Sequence, residues 1–152
     1  MVVFLDFDGV LRREGDPKYR INSALRLLFE QTILPFDVQI VISSNWKDAF
    51  DLPTIRKCFA PEIAPRIIDR TPTLSGQIND ATKWKEIEAW LKQAKPYPQW
   101  IAIDDKASEF PTNILPQVIL TNPTLGFDNV AATALRRTLQ RSMACESPLQ
   151  AL

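Results

Sequence analysis

Two aspartates one residue apart, Asp6 and Asp8, close the apolar run Val2-Val3-Phe4-Leu5 and are followed at once by Gly9. The run is short, β-branched and aromatic, and a turn signal ends it, so it reads as a buried strand over Val2–Asp6. Side chains alternate along an extended segment, which sends both carboxylates the same way from the strand's C-terminal end. Two carboxylates held close repel by roughly 4 kcal/mol at about 4 Å and an effective dielectric of about 20. A bound hard cation is the direct way to offset that cost. A second acidic pair, Asp104-Asp105, follows the apolar segment Trp100–Ile103, and Ser43-Ser44-Asn45 follows the apolar segment Val38–Ile42. The plainer alternatives are acidic turns exposed at strand ends, and serines that cap a turn or the next helix.

Whatever chemistry these groups do is done without histidine, since the chain has none. That excludes Ser-His-Asp and Cys-His mechanisms and histidine-ligated zinc. Acid–base work falls to Asp, Glu, Lys, Tyr or Cys. The two cysteines, Cys58 and Cys145, have no metal-ligand spacing, and reduced thiols point to a cytoplasmic protein. Lysine and arginine number 18 against 18 acidic residues, for a formal net charge of +0. Bulk charge therefore gives no pull toward nucleic acid or anionic membrane. No apolar run approaches the ~20 residues of a membrane span, and the N-terminus enters a strand directly, so no signal peptide is expected.

The elements that must position these groups alternate. A helix capped by Asn22 or Ser23 runs to about Leu34, and Val38–Ile42 is the second strand. A helix over Leu52–Phe59 and a short strand over Arg66–Ile68 follow, and Pro61–Gly76 reads mostly as connector. Asp80 or Thr82 starts a helix ending near Gln93, with Trp84, Ile87, Trp90 and Leu91 on one face and Glu88/Lys92 as an exposed pair. Trp100–Ile103 and Val118–Leu120 are strands, and Asn129–Met143 is the last helix. This order predicts an α/β three-layer sandwich around a parallel, Rossmann-like sheet with right-handed crossovers. One domain over 1–145 is expected, with a flexible tail over 146–152. Parallel strands bring Asp6/Asp8, Ser43/Ser44/Asn45 and Asp104/Asp105 to a single edge of the sheet.

The DxDG segment at Asp6–Gly9 resembles the first motif of the haloacid dehalogenase-like phosphatases, and Ile40–Ser43 resembles their second. Lys83, with Lys85 as the alternative, is similar to their third-motif lysine, and Ile101–Asp105 resembles the fourth. Ser43-Ser44-Asn45-Trp46-Lys47, Glu86-Ile87…Trp90-Leu91 and Thr121–Gly126 look like the small capless branch that includes the domain found in Swiss army knife RNA repair proteins. The resemblance implies a Mg²⁺-dependent phosphatase working through an aspartyl-phosphate. In that scheme Asp6 is the nucleophile and Asp8 the proton donor and acceptor. Ser43 and Lys83 contact the phosphoryl group, with Ser44 and Asn45 beside them. The Asp6 carboxylate, the Asp8 backbone carbonyl and the Asp105 carboxylate hold the metal, and Asp104 orients a metal-bound water.

The first loop, Leu11–Arg20, is too short for a cap domain, and Ala60–Asn79 is at most a flap. By analogy with the family it resembles, an open site implies a large phosphorylated substrate, such as a nucleic-acid end or a protein, or a partner that closes it. Arg12, Arg13, Lys18, Arg20 and Lys47 could meet an anionic leaving group or simply be solvated, and Trp46 is read as packing. A small-molecule nucleotidase and a non-catalytic phosphate-binding module are the competing functions.

Overall fold

The computed structural model describes residues 1–74 and 81–146. Its sheet contains β1 (Val2–Leu5), β2 (Gln39–Ile42), β3 (Ile67–Arg70), β4 (Trp100–Asp104) and β5 (Val118–Leu120). All neighbours pair in parallel, in the order β3-β2-β1-β4-β5. The chain builds outward from β1 on one side, then crosses to the other side at β4. The switch point therefore lies between β1 and β4, where open α/β sheets bind their ligands. Leu5 stands level with Ile42 on one side and Ile103 on the other, so the residues that leave these strands emerge together.

Alternation along the strands divides the core into two layers. Val3, Leu5, Ile40, Ile42, Ile101 and Ile103 pack with α1 (Ser23–Ile33), α2 (Leu52–Arg56) and α4 (Asn129–Glu146). Val2, Phe4, Val41, Trp100 and Ala102 face the other way, toward Ile87 and Leu91 of α3 (Thr82–Gln93) and Phe110. The result is the expected three-layer α/β sandwich. Parity places Asp104, two residues beyond Ala102, on the α3 side of the sheet.

Most element boundaries follow the sequence signals. Asn22 is the α1 cap, its side chain accepting from the N–H groups of Ala24 and Leu25. The Glu88/Lys92 pair forms at 3.2 Å. Several boundaries move. α2 ends at Arg56 rather than Phe59, because Cys58 and Phe59 donate to carbonyls three residues back and Ala60 N–H is taken by Glu30 Oε1 at 2.8 Å. Pro61 also biases the residue before it away from helix. The third strand begins at Ile67, after a 3₁₀ turn over Ala64–Arg66, and extends to Arg70. α4 runs to Glu146, so the remainder of the expected tail, with Asp80 and the segment 75–79, lies outside the described residues.

Candidate active site

β1 ends at Leu5, and the chain turns through Asp6-Phe7-Asp8-Gly9. Asp6 N–H donates to Ile103 O at 3.1 Å and Ser43 N–H to Leu5 O at 3.0 Å, which keeps the three strand ends side by side. Asp6 is buried and its Oδ1 lies 3.0 Å from Lys83 Nζ. The same ammonium is 3.0 Å from Asp104 Oδ2. Lys85, the alternative lysine, is exposed and does not line the cavity. One oxygen each from Asp6, Asp104 and Asp105 lies within 4.8 Å of the others.

The electrostatics follow from that crowding. Burial pushes the Asp6 carboxyl up to about 7, Lys83 pulls it down, and the neighbouring Asp104 charge pushes it up again. Burial opposes the charge on Lys83, but Asp6 and Asp104 outweigh it and hold the ammonium firmly protonated. Asp105 is raised by burial and then by repulsion from Asp104. Three carboxylates thus face one ammonium, which leaves an excess of negative charge at the sheet edge.

The donor set suits a hard divalent cation such as Mg²⁺, which takes oxygen ligands and retains waters. Asp104 is already committed, with Oδ2 at Lys83 and Oδ1 accepting from Lys106 N–H at 2.9 Å. Asp105 borders the cavity and Asp104 does not. Gly9 sits at φ +80, and a Cβ there would overlap the Asp105 carboxyl group. Only glycine lets the turn adopt that conformation and lie so close to Asp105.

Asp8 takes a different environment from Asp6, although both border the cavity. Alternation in the sequence implied a shared direction, but the strand stops before either residue. The Asp8 side chain is 55% exposed and pairs with Arg12 Nη1 at 3.1 Å, and its other oxygen accepts from Trp46 Nε1 at 3.2 Å. Its carboxylate is outside the converging set of Asp6, Asp104 and Asp105.

The second strand's polar end divides its work. Ser43 is buried beside Leu5, and the Ser44 hydroxyl accepts from Trp46 N–H at 3.3 Å, capping the 3₁₀ turn Asn45–Asp48. Asn45 borders the cavity, whereas Ser43 and Ser44 do not. Lys47, read as a residue that could meet a leaving group, is buried and turned inward. It pairs with Glu86 and donates to Thr71 Oγ1 at 3.0 Å. Of the other cations considered, Arg12 borders the cavity, Arg13 donates to Leu125 O, Lys18 lies over the Tyr19 ring, and Arg20 is exposed.

The cavity measures about 770 Å³ and also meets Glu14, Asp48, Thr73, Lys106 and Glu109. Glu109 accepts from Lys83 N–H at 3.1 Å, so a carboxylate caps the first turn of α3 where helix-end donors lack intrahelical partners. Sequence reading missed Glu109 and the Lys47–Glu86 pair. For Glu86 a signal existed, since it lies three residues after Lys83 on the same helix. No local pattern marked Glu109.

No curated protein and no solved structure gives a significant match to this chain. A family model described as the HAD domain in Swiss Army Knife RNA repair proteins matches residues 2–132. That span takes in the Asp6 turn, the Ser43 strand end, Lys83 and the Asp104-Asp105 pair, and the chain belongs to this HAD-domain family.

Proposed function

We propose that this protein is a Mg²⁺-dependent phosphomonoesterase that works through a phosphoryl group carried on Asp6. One observation carries the reading: the Lys83 ammonium bridges Asp6 and Asp104 at 3.0 Å each, inside a set of three converging carboxylates. Phosphoryl transfer depends on alignment and on neutralising negative charge. Bound Mg²⁺ would neutralise phosphoryl oxygens and the crowded carboxylates together. The Asp6 carboxylate, the Asp8 backbone carbonyl and the Asp105 carboxylate are its proposed ligands, with Asp104 in a supporting place because both its oxygens are committed.

Asp6 attacks phosphorus, and the bond to the leaving oxygen breaks. Asp8 gives that oxygen a proton, then takes one from the water that hydrolyses the Asp6 phosphate. Lys83 pulls Asp6 toward its ionised form against the cost of burial, orients it and offers charge to the phosphoryl oxygens. Ser43 and the N–H groups of the following turn are the proposed further donors, beside Ser44 and Asn45. A cytoplasmic location belongs to the same proposal, supported by two free cysteines. No helix among the described residues is long and apolar enough to cross a membrane.

The family's description refers to RNA repair proteins, which supports a nucleic-acid end as substrate. A second reading, a small phosphomonoester, is favoured by the acidic rim. Glu14, Asp48 and Glu109 border the cavity with Arg12 and Lys106, a poor track for an extended polyanion. A panel of p-nitrophenyl phosphate, nucleoside monophosphates and 3′- or 5′-phosphorylated oligonucleotides tests both. Release of inorganic phosphate with Mg²⁺, abolished by EDTA, is the expected result. The preferred member of the panel assigns the substrate class, and no release from any member contradicts the phosphatase reading.

A further inference from the structure

Asp8 occupies an exposed turn, where an unrestrained carboxylate samples several rotamers. Here both of its oxygens are held. The Trp46 indole N–H reaches Oδ2 at 3.2 Å and Arg12 reaches Oδ1 at 3.1 Å. Trp46 is itself fixed: it is 4% exposed, and its ring meets Phe7 edge-on at 5.0 Å and Tyr19 at 5.5 Å. Tyr19 sits at φ 56, a conformation uncommon for a bulky residue, which persists where surrounding contacts enforce it. The short first loop thus folds back to seal Trp46 against the Asp8 turn.

We propose that Trp46 is a positioning residue: its indole N–H aims the Asp8 carboxyl group at the leaving-group oxygen, in a site with no cap domain among the described residues to do so. This rests on the phosphatase reading above. The indole nitrogen only donates, so it fixes Oδ2 as its acceptor and with it the plane of the carboxyl group. Arg12 holds Oδ1 from the other side at 3.1 Å and is itself anchored, donating to Pro17 O at 3.0 Å and to Asp16 O at 2.7 Å. In the first step a bond forms between the Asp6 carboxylate and phosphorus. The bond from phosphorus to the leaving oxygen breaks, that oxygen keeps the electron pair, and the Asp8 proton moves to it. In the second step Asp8 takes a proton from water, and the water oxygen bonds to phosphorus. The bond from phosphorus to Asp6 breaks, returning its electron pair to the carboxylate.

The competing explanation is that Asp8 merely satisfies a buried indole N–H. Proton donation matters for an alkoxide leaving group and little for a nitrophenolate, so the substrates separate the two. In Trp46→Phe, kcat/KM for glycerol phosphate with Mg²⁺, which reports the steps through departure of the leaving group, should fall about 10- to 100-fold and that for p-nitrophenyl phosphate less than about threefold. An equal fall on both substrates, or no fall on either, overturns the proposal. The indole proton resonance of Trp46, identified by its loss in Trp46→Phe, gives an independent readout. In Asp8→Ala it should shift more than those of Trp84, Trp90 and Trp100, and an unmoved signal overturns the proposal. Should the wild type hydrolyse neither ester nor any phosphorylated nucleotide or oligonucleotide of the panel, the phosphatase reading fails while the resonance still decides whether Trp46 holds Asp8.

Discussion

Asp6→Asn is expected to remove phosphomonoester turnover by about 10⁴-fold or more, since an amide cannot serve as the attacking carboxylate. The same change should stabilise the metal-free protein. Burial raises the folded-state Asp6 carboxyl from 3.8 to about 7, so the folded chain binds that proton more tightly than the unfolded chain does. Stability from this group is therefore fully present below about pH 4 and is lost as pH rises through about 7. At pH 8 without metal, Asn in place of ionised Asp6 relieves a net cost of order 2–4 kcal/mol, in which the Lys83 attraction is already included. Thermal unfolding should place Asp6→Asn several degrees above wild type at pH 8 in EDTA, with the gap closing near pH 4. A lower melting temperature at pH 8 would mean that the Lys83 contact outweighs the burial cost of the Asp6 charge. Residual turnover equal to wild type would remove Asp6 from the chemistry.

Lys47→Met is expected to destabilise the fold by about 3–5 kcal/mol, because it strands a buried carboxylate. Glu86 is 6% exposed, its pairing partner Lys47 is 4% exposed, and its Oε1 also accepts from Leu74 N–H at 3.1 Å. For a domain of this size the loss corresponds to a melting temperature lower by roughly 6–20 °C. The pair joins the turn after β2 to α3, the helix that carries Lys83 one turn before Glu86, so metal-dependent activity should fall with stability. Replacing both partners, Lys47→Met with Glu86→Leu, should recover part of the stability by removing the uncompensated charge. Recovery stays incomplete because Leu74 N–H loses its acceptor. Equal melting temperatures for wild type and Lys47→Met would show that the pair contributes nothing.

The strand ends were legible because they obey local rules. Val2–Leu5, Ile40–Ile42 and Trp100–Ile103 are apolar runs long enough only for strands, and each stops at a polar residue that cannot continue a core. Parallel pairing then forces those stops to one edge, so the meeting of Asp6 with Asp104 and Asp105 follows from the strand pattern, whereas Lys83, on a helix, was expected only from the family resemblance. Choosing Lys83 over Lys85 was harder, since both sit in the first turn of α3 and its starting angle is tertiary information. Lys47 looked like an exposed loop cation because its partner lies 39 positions away. Ser44 and Trp46 were ambiguous for a related reason: capping and packing are local, but the indole bond to Asp8 depends on how the turn after β1 folds back. Glu109 carried no periodic signal, as it lies in a 3₁₀ turn between β4 and β5.

The central claim is that Asp6 takes up a phosphoryl group at a cation-bearing sheet edge. Acid quenching during turnover with Mg²⁺, followed by peptide mass spectrometry, tests it most directly. A phosphoryl mass shift on the peptide containing Asp6, absent in EDTA, is the predicted result. Ongoing phosphate release with the label on another residue, or with the shift persisting in EDTA, would contradict it.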